Sequence, residues 1–358
     1  MDHGLTAGQH TLSEIRSQPQ AWAAVVPAAR SAEAEWRTFF AGEESYQNLL
    51  FGCGSTFYLS MTAAAVLQAV TGQVARAVPS SELLFYEKAW IASGLGVRGL
   101  AISRSGTTTE TLRALEALSG REAARVRLGA VTCYAGTPME TWCSPVLVSP
   151  EGYETSIAQT RSFASMLVGC LAVAGMVSRH ERLLEALASL PPIGQRLLDR
   201  YDELAASLGG DSRIARVFFL GSGSRYGLAC EGMLKMKEMS LTNSEAYHFL
   251  EFRHGPKSMV DSSTLVVGLL SDAARAEETQ VLREMKELGA TLLVLAESND
   301  GLDWADAVVP FASGFPEAAR LPLYLPVLQL LAYHRSVSKG LDPDAPRNLD
   351  AVVKLGEE

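Results

Sequence analysis

The stretch from Val217 to Val260 reads VFFLGSGSRYGLACEGMLKMKEMSLTNSEAYHFLEFRHGPKSMV, and it indicates the fold class more clearly than any other part of the chain. An apolar run at 217–220 meets a glycine and serine turn at 221–224. A segment rich in leucine, methionine, lysine and glutamate follows from Leu228 to Ser240. This succession predicts a strand, a tight turn and a helix.

Two features of the same stretch point to chemistry. Glu231, Lys235 and Glu238 are spaced i, i+4, i+7, which places two carboxylates and an ammonium on one helical face. His254 precedes Gly255-Pro256, which breaks the chain and leaves the imidazole on a loop. A helical carboxylate and a loop histidine suit a general base and a proton shuttle for enolisation next to a carbonyl. The alternative is a surface ion pair and an ordinary loop histidine.

Length and charge limit the classes of protein. The 358 residues allow about two domains, each with its own core. The formal net charge of −9 argues against a large nucleic-acid-binding face and is compatible with a small cationic pocket for a phosphate.

The cysteines and the apolar segments indicate a reduced, cytoplasmic protein. The five cysteines are an odd number without CxxC spacing, which favours free thiols over a disulfide framework. The first twenty residues lack a basic region followed by an apolar one, so we expect no signal peptide. The apolar stretch from Phe163 to Val177 contains two glycines and is too short to span a bilayer comfortably. We therefore expect a buried helix and no membrane partner.

A second motif follows a predicted strand at 99–102. The turn from Ser103 to Thr111 contains six hydroxyl-bearing residues and opens onto a helix N-terminus. Free backbone N–H groups and the positive end of the helix dipole favour an anion there, so we predict a phosphate site to which Arg104 adds a charge-assisted bond. A capping turn without a ligand is the alternative.

The second half of the chain repeats the first. LLFGCGS at 49–55 matches FFLGSGS at 218–224, and later strands correspond at nearly the same offset. Two copies of an alternating strand and helix pattern predict two parallel sheets covered by helices. In the second copy, SDAAR at 271–275 replaces the hydroxyl-rich turn, and we expect Asp272 to repel a phosphate.

Helical stretches frame the two copies. We predict an arm or short helix at 11–22 that Gln18-Pro19 interrupts, and a further helix at about 28–40. A charged helical connector at 180–208, with Pro191-Pro192 inside it, is the predicted domain boundary.

Together these motifs resemble the sugar isomerase (SIS) family, most closely the isomerase half of glucosamine-6-phosphate synthase and the stand-alone aminosugar-phosphate deaminases and isomerases. The resemblance covers nearly the whole chain. It rests on GCGST at 52–56, SRSGTTTET at 103–111, EGMLKMKEMS at 231–240, NSEAY at 243–247 and RHGP at 253–256.

The resemblance implies an α/β fold of two tandem SIS domains, each a parallel sheet flanked by helices in a flavodoxin-like three-layer sandwich. The expected divisions are an N-terminal arm and helix at 1–40, a phosphosugar-binding SIS domain at 41–185, a catalytic SIS domain at 186–345 and a tail at 346–358. It also implies a homodimer.

The resemblance further implies a set of site residues. The positions that match sugar-phosphate contacts in the family are Ser55, Thr56, Ser103, Arg104, Ser105, Thr108 and Gln159. Glu238 matches the base that moves a proton between C1 and C2, and Lys235 matches its neighbour. His254 matches the ring-opening histidine, which is donated across the subunit interface to complete the neighbouring site. No cofactor and no metal are expected.

Two departures from the family concern the chemistry. Members that form a Schiff base carry a lysine two residues after Arg-Asn-Leu, whereas Ala351 stands at that position and Lys354 lies three residues later. The chain begins with MDHG at 1–4 and enters the isomerase half almost at once, so we expect it not to take ammonia from glutamine.

The predicted function is that of an enzyme, a phosphosugar aldose–ketose isomerase or deaminase. Its substrate is a small-molecule aminosugar phosphate of the glucosamine 6-phosphate type, converted to fructose 6-phosphate and ammonia. The alternatives are a galactosamine 6-phosphate or tagatose-phosphate isomerase-deaminase, a fructosamine 6-phosphate deglycase, and a non-catalytic sugar-phosphate sensor.

Other classes fit the sequence less well. A dinucleotide enzyme needs GxGxxG, and both glycine turns lack the third glycine. A metal site at His248, Glu251 and His254 lacks the i,i+4 histidine spacing of a helical zinc motif. A sensor has no need for Glu238 and His254, and no basic helix-turn-helix segment precedes Asn48.

Overall fold

The computed structural model describes residues 7–42, 46–122 and 125–350. These residues form two compact units. The first unit contains Ser17–Glu154 and Arg161–Pro191, and the second contains the residues up to Arg16, Thr155–Thr160 and Pro192–Leu349.

Helices and strands alternate along the chain. The helices are α1 (Gln9–Arg16), α2 (Gln18–Ser31), α3 (Glu33–Phe40), α4 (Ser55–Thr71), α5 (Ser80–Phe85), α6 (Glu87–Trp90), α7 (Thr109–Ser119), α8 (Arg161–Ser178), α9 (Glu181–Ala188), α10 (Leu190–Gly210), α11 (Tyr226–Ser240), α12 (Phe249–Phe252), α13 (Arg275–Glu287) and α14 (Leu325–Ser338). The strands are β1 (Tyr46–Gly52), β2 (Ala75–Pro79), β3 (Gly96–Ser103), β4 (Val126–Thr132), β5 (Val146–Val148), β6 (Arg216–Gly221), β7 (Asn243–Tyr247), β8 (Thr264–Leu269), β9 (Thr291–Ala296) and β10 (Ala307–Pro310).

The first unit is built on a five-stranded parallel sheet in the order β2-β1-β3-β4-β5. All residues of the central strand β3 are buried, as expected of a parallel strand that is covered on both faces. The core on one face joins Phe51, Leu115 and Leu128. Helix α8 packs against α2, α4 and α9 elsewhere in the unit.

Helix α8 is apolar around its whole circumference, and such a helix is normally buried. Among the described residues it is the one helix long and apolar enough to cross a membrane, and 83% of that stretch lies inside the protein. The expectation of a buried helix at this position is therefore confirmed.

The second unit is built on another five-stranded parallel sheet, in the order β10-β9-β8-β6-β7. Its core includes Phe218, Phe252 and Val294. Helix α11 packs against α14, β6 and β7, so the helix that carries Lys235 and Glu238 rests on the sheet along its apolar side.

Both sheets have the same topology when their strands are counted in chain order, namely second, first, third, fourth, fifth. The predicted α/β class with two parallel, helix-covered sheets is therefore confirmed. In each sheet the order reverses between the first and third strands, and the crevice outside the carboxyl ends of these strands is where open α/β sheets bind ligands.

Two predictions about helices are wrong. The helix predicted at 28–40 is two helices, since α2 ends at Ser31 and α3 begins at Glu33. The interruption predicted at Gln18-Pro19 falls instead at Ser17, because a proline in the first turn of α2 loses no hydrogen bond. Propensity alone did not separate a helix start from a helix break at this proline.

The helical connector predicted at 180–208 is also two helices. The sequence suggests a continuous helical connector with Pro191-Pro192 inside it, whereas α9 ends at Ala188 and α10 begins at Leu190. The two prolines lie in the first turn of α10, where their missing N–H groups would be unpaired anyway. The two compact units divide between these prolines.

All five cysteines are free thiols in the structure, and Cys133, Cys143, Cys170 and Cys230 are buried. Burial raises the pKa of Cys133 and of Cys170 to about 12. These side chains therefore behave as small apolar groups of the core.

Candidate active site

The hydroxyl-rich turn lies at the carboxyl end of β3, beside β1, where the strand order of the first unit reverses. Ser103 is buried, and its hydroxyl accepts the N–H of Gly106 at 3.1 Å and lies 3.4 Å from Thr108 Oγ1. Ser105 Oγ accepts from the N–H of Thr107 at 3.2 Å and from its hydroxyl at 2.9 Å. The hydroxyls at 103, 105 and 108 thus gather in front of α7.

The geometry of this turn does not fit simple capping. Thr108 is the N-cap of α7, yet its hydroxyl makes no capping bond to the helix. Gly106 has φ +64°, and a Cβ there would lie 2.3 Å from Thr137 Oγ1. The turn therefore requires glycine and leaves helix N–H groups to an outside partner, as an anion site does.

The glycine turn after β1 lies next to it, because β1 and β3 are neighbours in the sheet. Gly54 has φ +56° and leads into α4. Thr56 Oγ1 accepts the N–H of Cys53 and donates to its carbonyl, both at 2.9 Å, so this hydroxyl holds the turn. Ser55 is buried in the first turn of α4.

Arg104 is buried beside the same turn. Its Nη1 lies 3.6 Å from the Glu154 carboxylate, whose side chain has no exposed surface. Ser162 donates its hydroxyl to the same carboxylate. The guanidinium that the sequence assigns to an anion is therefore held in place by a carboxylate.

In the second unit, Lys235 joins the two carboxylates of its helical face. Its Nζ lies 3.3 Å from Glu231 Oε1 and donates to Glu238 Oε2. The side chains of Lys235 and Glu231 are each 1% exposed, whereas that of Glu238 is 19% exposed. These residues are not a surface ion pair, because only Glu238 reaches solvent.

The charge state of Lys235 follows from its partners. Burial acts to lower the pKa of its ammonium, but the carboxylates of Glu231 and Glu238 outweigh that effect, and the pKa is raised. The two carboxylates therefore favour the charged form of Lys235, whose ammonium orients Glu238 through their hydrogen bond.

His254 lies in the turn after α12, and its side chain is exposed. The residues on either side of it fix the turn. Arg253 donates to Glu284 on α13 through Nε at 3.0 Å and Nη2 at 2.5 Å, and this bond lowers the pKa of Glu284. Gly255 has φ +122°, which side-chain-bearing residues rarely adopt. The imidazole thus projects into solvent from a fixed backbone.

Gln159 belongs to the second unit and is half-buried. Its Oε1 is buried and has no hydrogen-bond partner among the described residues. A buried amide oxygen without a partner is costly, so this atom is suited to a ligand donor.

The corresponding turn of the second sheet shows how one copy differs from the other. Ser271 Oγ accepts the N–H of Ala274 at 3.0 Å, as Ser103 does from Gly106 in the first unit. Here, however, the N–H of Asp272 donates to Glu317 Oε1 at 2.7 Å. The side chain of Asp272 is exposed and pairs with the buried Arg320, so its charge is partly neutralised. The Glu317 carboxylate therefore already accepts the backbone N–H that this turn could offer to an anion.

Residues 212–302 match the family model described as the SIS domain. This segment of the chain carries an SIS domain. The matched segment contains Lys235, Glu238 and His254, and it begins shortly before β6.

Curated relatives match a longer part of the chain than the SIS domain model does. Glutamine--fructose-6-phosphate aminotransferase [isomerizing] of Methanothermobacter thermautotrophicus is 28% identical over 353 residues, which are 96% of this chain and 57% of that protein. The chain therefore spans a little over half the length of this curated relative.

Solved structures resemble most of the chain. Glucosamine-6-phosphate deaminase from Thermotoga maritima is 28% identical with a TM-score of 0.72, and the match covers 92% of this chain and 99% of that one. Tagatose-6-phosphate ketose/aldose isomerase from Escherichia coli has a TM-score of 0.85 at 23% identity, and the match covers 96% of this chain and 97% of that one. At this identity the likeness concerns the fold only.

Most of the residues that the sequence predicts for the site lie in two groups. Ser55, Thr56, Ser103, Arg104, Ser105 and Thr108 all lie at the carboxyl ends of β1 and β3. Lys235 and Glu238 are in direct contact, while Gln159 and His254 lie on other segments of the same unit. Ala351 and Lys354 lie outside the described residues.

Sequence reasoning missed some residues that build these groups. Glu154 beside Arg104 and Glu284 beside Arg253 gave no signal, because their partners are distant in sequence. Among the described residues, no three histidine, cysteine, aspartate or glutamate side chains gather as a metal ion would require.

Proposed function

We propose that the chain is a sugar-phosphate aldose–ketose isomerase of the SIS type, acting on an aminosugar phosphate and releasing ammonia. The observation that supports this most is the set of Glu231, Lys235 and Glu238 on α11. A buried ammonium there orients a carboxylate that still reaches solvent. A sensor that only binds a sugar phosphate has no use for such a carboxylate, whereas enolisation next to a carbonyl requires a positioned base.

In this proposal the phosphate group binds at the hydroxyl-rich turn. Ser103, Ser105 and Thr108 donate hydroxyl hydrogens, and the free N–H groups of α7 add to them. Arg104 and Ser55 lie beside the phosphate. The amide oxygen of Gln159, which has no partner among the described residues, accepts a hydrogen bond from a sugar hydroxyl. The turn fixes the end of the sugar that does not react.

Glu238 performs the proton transfer. With the ring open, its carboxylate takes the proton from C2 of the 2-amino aldehyde and returns a proton to C1. The aldehyde oxygen gains a proton as C2 loses its own, and the amine loses a proton as C1 gains one, so the product has a C1 alcohol and a C2 imine. Water then adds to the imine and ammonia leaves, which yields the ketose phosphate. Lys235 stays protonated and holds the carboxylate in place through both transfers.

His254 opens the sugar ring in this scheme. Its side chain is exposed on a fixed turn, which suits delivery to the site of a second copy of the chain in a homodimer. The division into two tandem SIS domains and the cytoplasmic location belong to the same proposal. They are supported by the repeated strand order and by the free thiols.

The substrate assignment is tested with the pure protein and a panel of aminohexose 6-phosphates of different epimers, measuring both ammonia and ketose phosphate. Ammonia and ketose phosphate in equal amounts support the deaminase. Interconversion of hexose and ketose 6-phosphates without ammonia would point to the tagatose-phosphate type of isomerase. Turnover of a fructosamine 6-phosphate alone would indicate a deglycase, and binding without turnover a sensor.

The phosphate site is tested by removing two of its hydroxyls. In the Ser103→Ala/Ser105→Ala variant, KM for the sugar phosphate should rise about tenfold or more, because each lost bond to a charged group weakens binding. The change in kcat should be smaller. Isothermal titration with hexose 6-phosphate measures the binding directly.

The matched control is Ser271→Ala, since Ser271 makes the same local bond in the second sheet but faces no proposed ligand. It should leave KM unchanged. Unaltered binding in the double variant would place the phosphate elsewhere.

His254→Asn should lose most activity on the cyclic substrate, because imidazole is the side chain whose ordinary pKa lies nearest neutrality. An open-chain analogue should restore a good part of it. Borohydride should trap no sugar adduct, since Ala351 replaces the Schiff-base lysine. An adduct mapped to Lys354 would contradict this.

Mixing subunits tests the homodimer. When His254→Asn and Glu238→Gln chains are dissociated together and reassociated, each mixed dimer has one site with both native residues if His254 acts across the interface. Activity should then reappear from two inactive proteins. If the mixture stays inactive although mixed dimers form, His254 acts within its own chain.

A further inference from the structure

The segment Thr155–Thr160, which carries Gln159, is irregular and yet mostly buried. Ser156 is 2% exposed and Thr160 is fully buried, although no helix or strand includes them. Buried backbone outside regular structure needs hydrogen-bond partners from elsewhere. Those partners lie on α1 and α14.

Glu14 on α1 provides the first anchor. Its side chain is itself buried, and Oε1 accepts the N–H of Thr155 at 2.5 Å and that of Ser156 at 3.3 Å. The hydroxyl of Ser156 donates to Oε2. Three donors on one carboxylate are charge-assisted bonds, which are stronger than bonds between neutral groups. This carboxylate therefore fixes the first two residues of the segment.

Gln329 on α14 provides the second anchor. Its Nε2 donates to the carbonyl of Thr160 at 3.1 Å, and the side chain has no exposed surface. The segment is thus held at both ends, and Gln159 precedes the second anchor by one residue.

Helix α1 is itself fixed in place. Ile15 packs with Leu330 and Tyr333 of α14. The Asp344 carboxylate accepts the N–H groups of His10 and Thr11 at the start of α1. Asp344 stabilises the helix without a bond to the 155–160 segment, which makes it a useful control.

We propose that Glu14 is a positioning residue that acts through Gln159. By holding Thr155 and Ser156, it keeps the amide oxygen of Gln159 facing the sugar, where no donor from the described part of the chain satisfies it. The proposal rests on the function given above, in which Gln159 contacts the substrate. Glu14 thereby contributes to substrate binding although it does not touch the substrate.

A double-mutant cycle tests the link. Gln159→Ala should raise KM about tenfold, which is the usual effect of a lost hydrogen bond at a buried partner. Glu14→Ala should raise KM to a similar extent, with a smaller change in kcat. The double variant should be no worse than Gln159→Ala, since residues that act through one contact are not additive. If the increases in KM of the two single variants multiply in the double variant, the proposal is wrong. A wild-type KM in Glu14→Ala would also overturn it.

Two further variants separate positioning from stability. Glu14→Gln keeps an acceptor for the backbone N–H groups, so it should recover most of the lost KM. Asp344→Asn should lower the melting temperature without changing KM. If Asp344→Asn raises KM as much as Glu14→Ala, Glu14 has only a structural role.

Amide hydrogen exchange gives a readout independent of catalysis. Glu14→Ala should speed exchange at Thr155 and Ser156, and Asp344→Asn should not. If exchange at these amides stays slow, Glu14 does not hold the segment. If it speeds up while Gln159→Ala leaves KM unchanged, Glu14 holds the segment but the assigned role of Gln159 fails, and with it the link to the substrate.

Discussion

Lys235→Met is expected to lower the free energy of unfolding by about 3–5 kcal/mol, because it leaves a buried carboxylate without its counter-ion. Glu231 is 1% exposed and lies 3.3 Å from the ammonium, so solvent cannot replace the lost charge. Urea unfolding followed by far-ultraviolet circular dichroism measures the change. Activity should fall as well, since Glu238 loses the group that orients it.

A second substitution, at Glu231, tests whether the unpaired charge causes the loss of stability. Removing the second charge, in Glu231→Gln/Lys235→Met, should recover much of the stability, because no buried ion then lacks its counter-ion. Lys286→Met is the matched control, since Lys286 pairs with Asp306 at a site where both side chains are more than a third exposed. Its effect should be below about 1 kcal/mol. A Lys235→Met variant as stable as this control would contradict the described burial.

Glu238→Gln should lower kcat by about 10²–10⁴, the usual contribution of a positioned base, while KM changes little. The amide has nearly the same shape and can still accept a bond from Lys235, so the fold should be retained. Steady-state kinetics with the sugar phosphate that the panel identifies measure both constants.

The control for this variant is Glu245→Gln, which changes an exposed carboxylate of the same unit. It should leave kcat unchanged. If Glu238→Gln turns over like the wild type, another group is the base, and the orientation by Lys235 has no catalytic role.

The sequence predicted the parts of the fold that depend on local patterns. Each glycine turn lies between an apolar run and a helical segment, so the strands and helices around Gly52 and Gly221 could be placed before the structure was known. The pairing of Lys235 with Glu231 and Glu238 also follows from spacing within one helix. Their burial did not follow, because it depends on the packing of α11 against α14.

The remaining contacts join residues that are far apart in sequence. Glu14 meets Ser156 across 142 positions, and Thr11 meets Asp344 across 333. No periodicity links such pairs, so a single sequence gives no sign of them. The helix starts at Gln18 and Leu190 were missed for a different reason, since local propensity does not distinguish a proline that begins a helix from one that interrupts it.

Proton transfer by Glu238 is the central claim, and solvent deuterium tests it most directly. The wild-type protein and Glu238→Gln are incubated in heavy water with the sugar phosphate that the panel identifies, and the products are examined by proton and carbon nuclear magnetic resonance. Wild-type product should carry deuterium at C1, and Glu238→Gln should incorporate none while it still binds the sugar phosphate. Incorporation by Glu238→Gln at the wild-type rate would contradict the account.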